Sequence, residues 1–166
     1  MRRQKGFSLV ELLLVVAVIM ILAAIAVPNF MRARMAANES SAVASLHNID
    51  TAQMAYAVAY PLLGFAPDLN TLGPGATTTT SSSSTNALLL DNVLGCPAGV
   101  GTAYCEKSGY EFNITAGSGT PLNTYAANAN PAAPGQSGTR YFFTDNSVAI
   151  RYNTTTIASG SDQEIQ

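Results

Sequence analysis

The pattern of apolar and polar positions divides the chain into stretches with different periods. Residues 12–27 are sixteen consecutive apolar residues without any polar interruption. With Phe7, Ser8, Leu9, Val10 and Glu11 before them they form a 21-residue segment. As a helix that segment spans roughly 31 Å, about one hydrocarbon thickness. After Pro28 the pattern takes helical spacing, with Met31, Met35, Ala42, Leu46, Ile49, Ala52, Tyr56 and Tyr60 near one face. No Gly or Pro interrupts residues 29–60, Ala is abundant, and Pro61 stops the run. The two stretches together predict a helix of 54 residues, roughly 80 Å long and far more than a globular domain needs. Its first half has to meet lipid or other copies of itself. At the join, Pro28 removes a backbone hydrogen bond and crowds the preceding turn, so a kink or local unwinding is expected there.

Beyond residue 60 the signals shorten. Residues 61–108 are loop-rich, broken by Pro61, Gly64, Pro67, Gly73, Pro74 and Gly75. Residues 77–85 are an unbroken Thr/Ser tract, read as a flexible solvated loop. Residues 87–94 are expected to pack over the long helix as a short helix or strand. From Gly109 the period becomes two, with Tyr110, Phe112 and Ile114 alternating with polar residues. A weaker strand signal covers residues 124–128. Residues 139–144 and 147–152 flank Asp145-Asn146, which suits a two-residue hairpin turn. The expected class is α+β: a long N-terminal helix and a C-terminal antiparallel sheet of three or four strands covering its second half.

Glu11 disturbs this simple picture. A carboxylate in a membrane helix costs about 2–3 kcal/mol or more near the bilayer centre and less toward the interface. Arg2, Arg3 and Lys5 precede the apolar run, while Arg32 and Arg34 follow it. Short basic N-terminal ends stay in the cytoplasm, so a single span with the N-terminus inside is expected. An ordinary secretory signal is a competing reading, with Ala24-Ile25-Ala26 as a small-x-small site cleaved after Ala26. A plain single-span anchor, carrying an adhesin or sensor, is another.

Gly6-Phe7-Ser8-Leu9-Val10-Glu11-Leu12, following a short basic leader, resembles the prepilin signature of type IV pilins and pseudopilins. The resemblance runs strongly through residues 1–60. It implies that residues 1–6 are a leader removed by a prepilin peptidase, which cuts after Gly6 on the cytoplasmic side. It further implies N-methylation of the new Phe7 amine. Residues 7–28 would be the transmembrane and filament-core helix, with a helix break at Pro28, and residues 29–60 the amphipathic helix of the head. Residues 61–108 would be the family's αβ-loop, and residues 109–166 its antiparallel β region and C-terminal tail. The implied role of Glu11 is an assembly salt bridge with the Phe7 amine of a neighbouring subunit. Cleavage places that amine four residues before Glu11, on the same helix face. One departure is Met20, which stands where many family members carry Gly. Thr139-Arg140-Tyr141-Phe142-Phe143-Thr144-Asp145, with Ile150-Arg151-Tyr152 after it, also looks like the last hairpin of some bacterial pilin-like proteins.

The function implied is a non-enzymatic subunit. It would wait in the inner membrane, in contact with lipid, and polymerise with copies of itself through the N-terminal helices. Its other partners would be the peptidase and the pilus assembly machinery, with cytoplasmic ATPases supplying force. After assembly it would lie in an extracellular pilus or a periplasmic pseudopilus. A minor pilin or a type II secretion pseudopilin is the neighbouring alternative, although the chain has no Trp. A secreted binding protein is the alternative from another class.

Composition narrows the chemistry. The chain carries eight basic and ten acidic side chains. Losing residues 1–6 removes Arg2, Arg3 and Lys5, leaving five basic against ten acidic, a net of −5. That argues against nucleic-acid binding through a basic surface. Cys96 and Cys105 have eight residues between them. Outside the cytoplasm they suit a disulfide, whose loop closure stabilises by roughly 2–3 kcal/mol. A metal pair lacks further ligands, since the one histidine, His47, falls on the long helix. No Gly-rich phosphate loop or nucleophile elbow occurs, and Gly117-Ser118-Gly119 reads as a turn. No cofactor, metal or small-molecule substrate is expected.

Overall fold

The computed structural model describes residues 8–74, 81–96 and 104–165. Gly6 and Phe7 lie outside the described residues, as do residues 77–80 of the Thr/Ser tract. Helix α1 spans Leu9–Ala59, 51 residues, with Pro28 inside it. The unwinding expected at Pro28 is not found: the helix continues through it. Asn29 Nδ2 donates to the Ile25 carbonyl at 3.1 Å, beside the carbonyl that the proline leaves without a donor. By internal contacts the chain forms two units, Met1–Arg34 and Met35–Gln166. In the first unit every described side chain is exposed.

The second unit holds the core. Its share of α1 buries Glu39, Ala42, Ser45, Leu46, Ile49, Asp50, Ala52, Gln53 and Tyr56. The expected face is there from Ala42 to Tyr56, but Met31 lies outside it and is exposed. Pro61 ends the helix, and the Tyr60 carbonyl accepts from Leu63 N and Gly64 N at 2.9 and 3.1 Å. Gly64 has φ +80°, and a Cβ there would overlap the Leu122 carbonyl. Glycine is therefore required where the loop returns to run beside Leu122. A one-turn helix α2, Leu69–Leu72, is capped by Asp68, whose Oδ1 accepts from Thr71 N at 2.8 Å.

Strands β1 Cys105–Lys107, β2 Tyr110–Ala116, β3 Tyr125–Pro131, β4 Tyr141–Asp145, β5 Arg151–Asn153 and β6 Gln163–Glu164 follow. They form one antiparallel sheet in chain order, β1-β2-β3-β4-β5-β6. Among the described residues six strands thus replace the three or four expected, because β1 and β6 are only three and two residues long and carry no readable period, while β5 is the short remainder of the expected 147–152 strand. β3 is longer than its signal: Ala127 and Ala129 point inward and Asn128 and Asn130 outward, a true alternation built from weak strand formers. Tyr110, Phe112 and Phe142 join Leu46, Ile49, Tyr56, Leu72, Leu90 and Leu94 in one hydrophobic cluster.

Other expectations shift in detail. β4 and β5 pair Phe143 with Arg151, so residues 146–150 form the connection rather than Asp145-Asn146 alone. Asp145 caps its own turn, its carbonyl accepting from Val148 N and its Oδ1 from Ser147 N, both at 2.8 Å. Residues 87–94 are neither helix nor strand. Backbone bonds from Ala87 N to Thr71 O and from Leu89 N to Leu72 O lay this stretch along α2 instead. The described end of the Thr/Ser tract is tethered to the core, because Tyr56 Oη donates to the Ser84 carbonyl at 2.7 Å.

Candidate functional site

The apolar helix is the feature that a folded monomer leaves unexplained. From Leu9 to Phe30 its Leu, Val, Ile, Met and Phe side chains are exposed on all sides, Leu9 and Phe30 to 74% and 69%. An apolar face that surrounds a helix requires cover from lipid or from other helices. α1 is the one described helix long and apolar enough to cross a membrane.

Glu11 lies in the first turn of α1 and is exposed. Among the described residues it has no ion pair. Leu12 N donates to the Ser8 carbonyl at 3.2 Å, so Ser8 stands where a helix N-cap belongs. Glu11 follows it at capping-box spacing. A carboxylate is also favoured there by the helix dipole. Gly6 and Phe7, the expected cleavage and methylation positions, lie outside the described residues, so no geometry joins them to Glu11.

Cys96 and Cys105 form a disulfide with Cα atoms 5.6 Å apart. It ties the residues after Leu94 to the start of β1. His47 is exposed on α1, and its carbonyl accepts from Thr51 Oγ1. Among the described residues no group of three or more His, Cys, Asp or Glu is placed to hold a metal ion. A cavity of about 270 Å³ is lined partly by Asn48, Thr51, Leu90 and Leu94, with Asp91 and Lys107 at its rim. Those two rim charges bind each other at 2.8 Å. A second cavity, about 480 Å³, lies beside Tyr56, Phe65 and Leu122. Neither brings together a nucleophile and a base.

Buried polar side chains of α1 hold the head together. Glu39 is buried on α1 and reaches the start of β4. Its Oε1 accepts from Thr139 N and Thr139 Oγ1 at 2.8 and 2.9 Å, and its Oε2 from Arg140 Nε at 2.7 Å. Burial alone would raise its pKa. The Thr139 amide, Arg140 and the Thr139 hydroxyl outweigh that and hold it below the usual value. Asp50, three turns on, is buried between Tyr125 and Thr144. Gln53 clamps the returning loop, donating to Ala66 O at 3.0 Å and accepting from Ala66 N at 2.8 Å. The available signal was polar residues at helical spacing on the same stripe as Leu46, Ile49 and Tyr56.

The model of the prokaryotic N-terminal methylation motif matches residues 1–27. The type IV wide pilus major component PilA4 of Thermus thermophilus is 45% identical over 58 residues. That match covers 35% of this chain and 44% of the relative. The type IV major pilin protein PilA of Myxococcus xanthus is 46% identical over 54 residues, 32% of this chain and 24% of the relative. The chain thus spans less than half the length of either relative, and no solved structure matches it. An apolar exposed helix, an acid in its first turn and this matched motif coincide in one segment. Through that segment the chain is similar to type IV pilins, and its long helix followed by an antiparallel sheet is consistent with their α+β fold.

Proposed function

We propose that this chain is a structural, non-enzymatic subunit of a type IV pilus. It is held in the inner membrane by residues 7–28, with its N-terminus in the cytoplasm and its head outside. Prepilin peptidase removes residues 1–6 by cutting after Gly6, and the Phe7 amine is methylated. Copies then leave the bilayer and pack helix to helix into an extracellular filament, driven by the pilus assembly machinery. The observation that carries this reading is the fully exposed apolar face of α1 from Leu9 onward, within a methylation motif.

The transfer from lipid to filament exchanges one apolar environment for another. Little hydrophobic energy changes, so helix packing and a specific polar contact must select the register. Glu11 supplies that contact by pairing with the Phe7 amine of a neighbour. A buried carboxylate is tolerated only when paired and hydrogen-bonded, so docking out of register is penalised. Pro28 stays within the helix here; it marks the point at which α1 can open during assembly, since one backbone bond is already missing.

Mass spectrometry of the mature N-terminus tests the reading. A chain beginning at methylated Phe7 is expected. A start at Val27 would mean secretion by ordinary signal peptidase, and retention of Met1 a plain anchor. Purified surface fibres made mainly of this chain would separate a pilus subunit from a minor pilin or a pseudopilin.

A further inference from the structure

The charges of the head pair off almost completely, and the remainder is informative. Once residues 1–6 are gone, five cations remain: Arg32, Arg34, Lys107, Arg140 and Arg151. Lys107 is bound to Asp91, Arg140 to Glu39, and Arg151 to Asp145 and Glu164. Arg32 and Arg34 are exposed, and among the described residues neither has an ion pair. On the acidic side, Asp50 is held by two hydroxyls, Asp68 caps α2, and Asp162 accepts from Ser159 and Asn153. Apart from Glu11, that leaves Glu106 and Glu111 without a partner among the described residues.

These two glutamates are not scattered. Glu106 on β1 and Glu111 on β2 are directly opposite in the antiparallel register. Their neighbours Cys105, Tyr110 and Phe112 are buried on the inner face, so both carboxylates stand on the outer face. Like charges directly opposite each other destabilise a strand pair. The same face is short of donors: Asn130, opposite Glu111 on β3, and Asn113 on β2 each have a side-chain oxygen buried without a hydrogen-bond partner. An edge that concentrates acceptors and negative charge is complementary to guanidinium groups, which carry five donors and no acceptor.

We propose that the outer β1–β2 edge, at Glu106 and Glu111, is a docking surface for Arg32 and Arg34 of a second copy of this chain. The inference rests on the reading that the chain polymerises. It gives the heads an electrostatic contact of their own, outside the apolar helix core. Complementary charge of this kind fixes register and rejects wrong placements more than it adds affinity.

A charge swap in trans tests it. One full-length variant carries Arg32→Glu and Arg34→Glu; the other carries Glu106→Arg and Glu111→Arg. Each alone brings like charges together and is expected to lower fibre yield on the order of tenfold. Expressed together they restore it, because alternating copies regain opposite charges at every contact. Gly6 cleavage and the Cys96–Cys105 disulfide, measured in each variant, verify insertion and head folding. Wild-type yield from either variant alone, or no recovery on mixing, overturns the proposal while leaving polymerisation intact. If the wild-type chain itself is not processed and makes no fibre, the assembly reading fails, and this contact with it.

Discussion

Tyr125 Oη donates to Asp50 Oδ1 at 2.8 Å, joining β3 to the C-terminal part of α1 across 75 residues of sequence. Thr144 Oγ1 on β4 donates to the other carboxylate oxygen at 2.9 Å. One acid thus pins two adjacent strands to the helix. Burial lifts the Asp50 carboxyl above its ordinary 3.8 despite both hydroxyls and nearby His47. Burial and Asp50 together push the Tyr125 phenol far above its usual range, so it remains a donor.

The raised Asp50 value sets the sign of a pH effect. Its stabilising contribution is fully present below the unfolded-state value near 3.8 and declines as pH rises through the raised folded value. Asp50→Asn keeps an acceptor and removes the buried charge, so its stability relative to wild type should improve as pH rises above about 4. Asp50→Leu leaves two hydroxyls unpaired and should cost about 2–4 kcal/mol near pH 4, a deficit that narrows as pH rises by the same amount as for Asp50→Asn. Thermal unfolding of the detergent-solubilised chain at several pH values measures both. Parallel curves for wild type and Asp50→Asn would refute the assignment.

Glu39 should behave in the opposite sense. Its lowered carboxyl contributes stability that is present above the unfolded-state value of 4.5 and lost as pH falls through the folded one. Glu39→Gln should cost about 1–3 kcal/mol at neutral pH, toward the low end because Arg140 is partly exposed. The difference from wild type should shrink in acid. A constant deficit across the range would show that packing, not charge, is what the substitution removes.

Two glycines with nearly the same backbone separate strain from collision. Gly64 has φ +80° with the Leu122 backbone in the way, whereas Gly135 has φ +79° and open space around it. Gly135→Ala should cost about 1–2 kcal/mol, the left-handed penalty alone. Gly64→Ala should cost more, about 2 kcal/mol beyond that, because the Leu122 backbone must move. Equal losses in unfolding free energy would mean that the Gly64 loop yields freely.

Glu11 has two readings that one conservative change distinguishes. A capping box accepts Gln at the position of Glu11, whereas pairing with an amine needs the charge. Glu11→Gln should therefore leave membrane insertion and Gly6 cleavage intact while lowering fibre yield nearly as far as Glu11→Ala does. Normal fibres from Glu11→Gln, with loss only in Glu11→Ala, would assign the residue to helix capping.

Much of this protein was legible without a structure, for a physical reason. Sixteen apolar residues, Glu11 before them and an uninterrupted helical stretch up to Pro61 are local facts, and local interactions decide a helix. Tyr110, Phe112 and Ile114 likewise announced β2 by their alternation. What tertiary structure decided was everything held by partners distant in sequence. β1 is a local exception: too short to show a period, it joins the sheet through the tight hairpin that sets Cys105, Glu106 and Lys107 opposite Phe112, Glu111 and Tyr110. β3 is a full strand because its alanines face the core, although Ala and Asn are weak strand formers. Glu39, Asp50 and Gln53 look like ordinary polar helix residues until Thr139, Tyr125 and Ala66 arrive to satisfy them. A polar side chain can be buried only when its donors or acceptors meet it there, and pairings across 75 or 100 residues belong to the fold rather than to any local pattern.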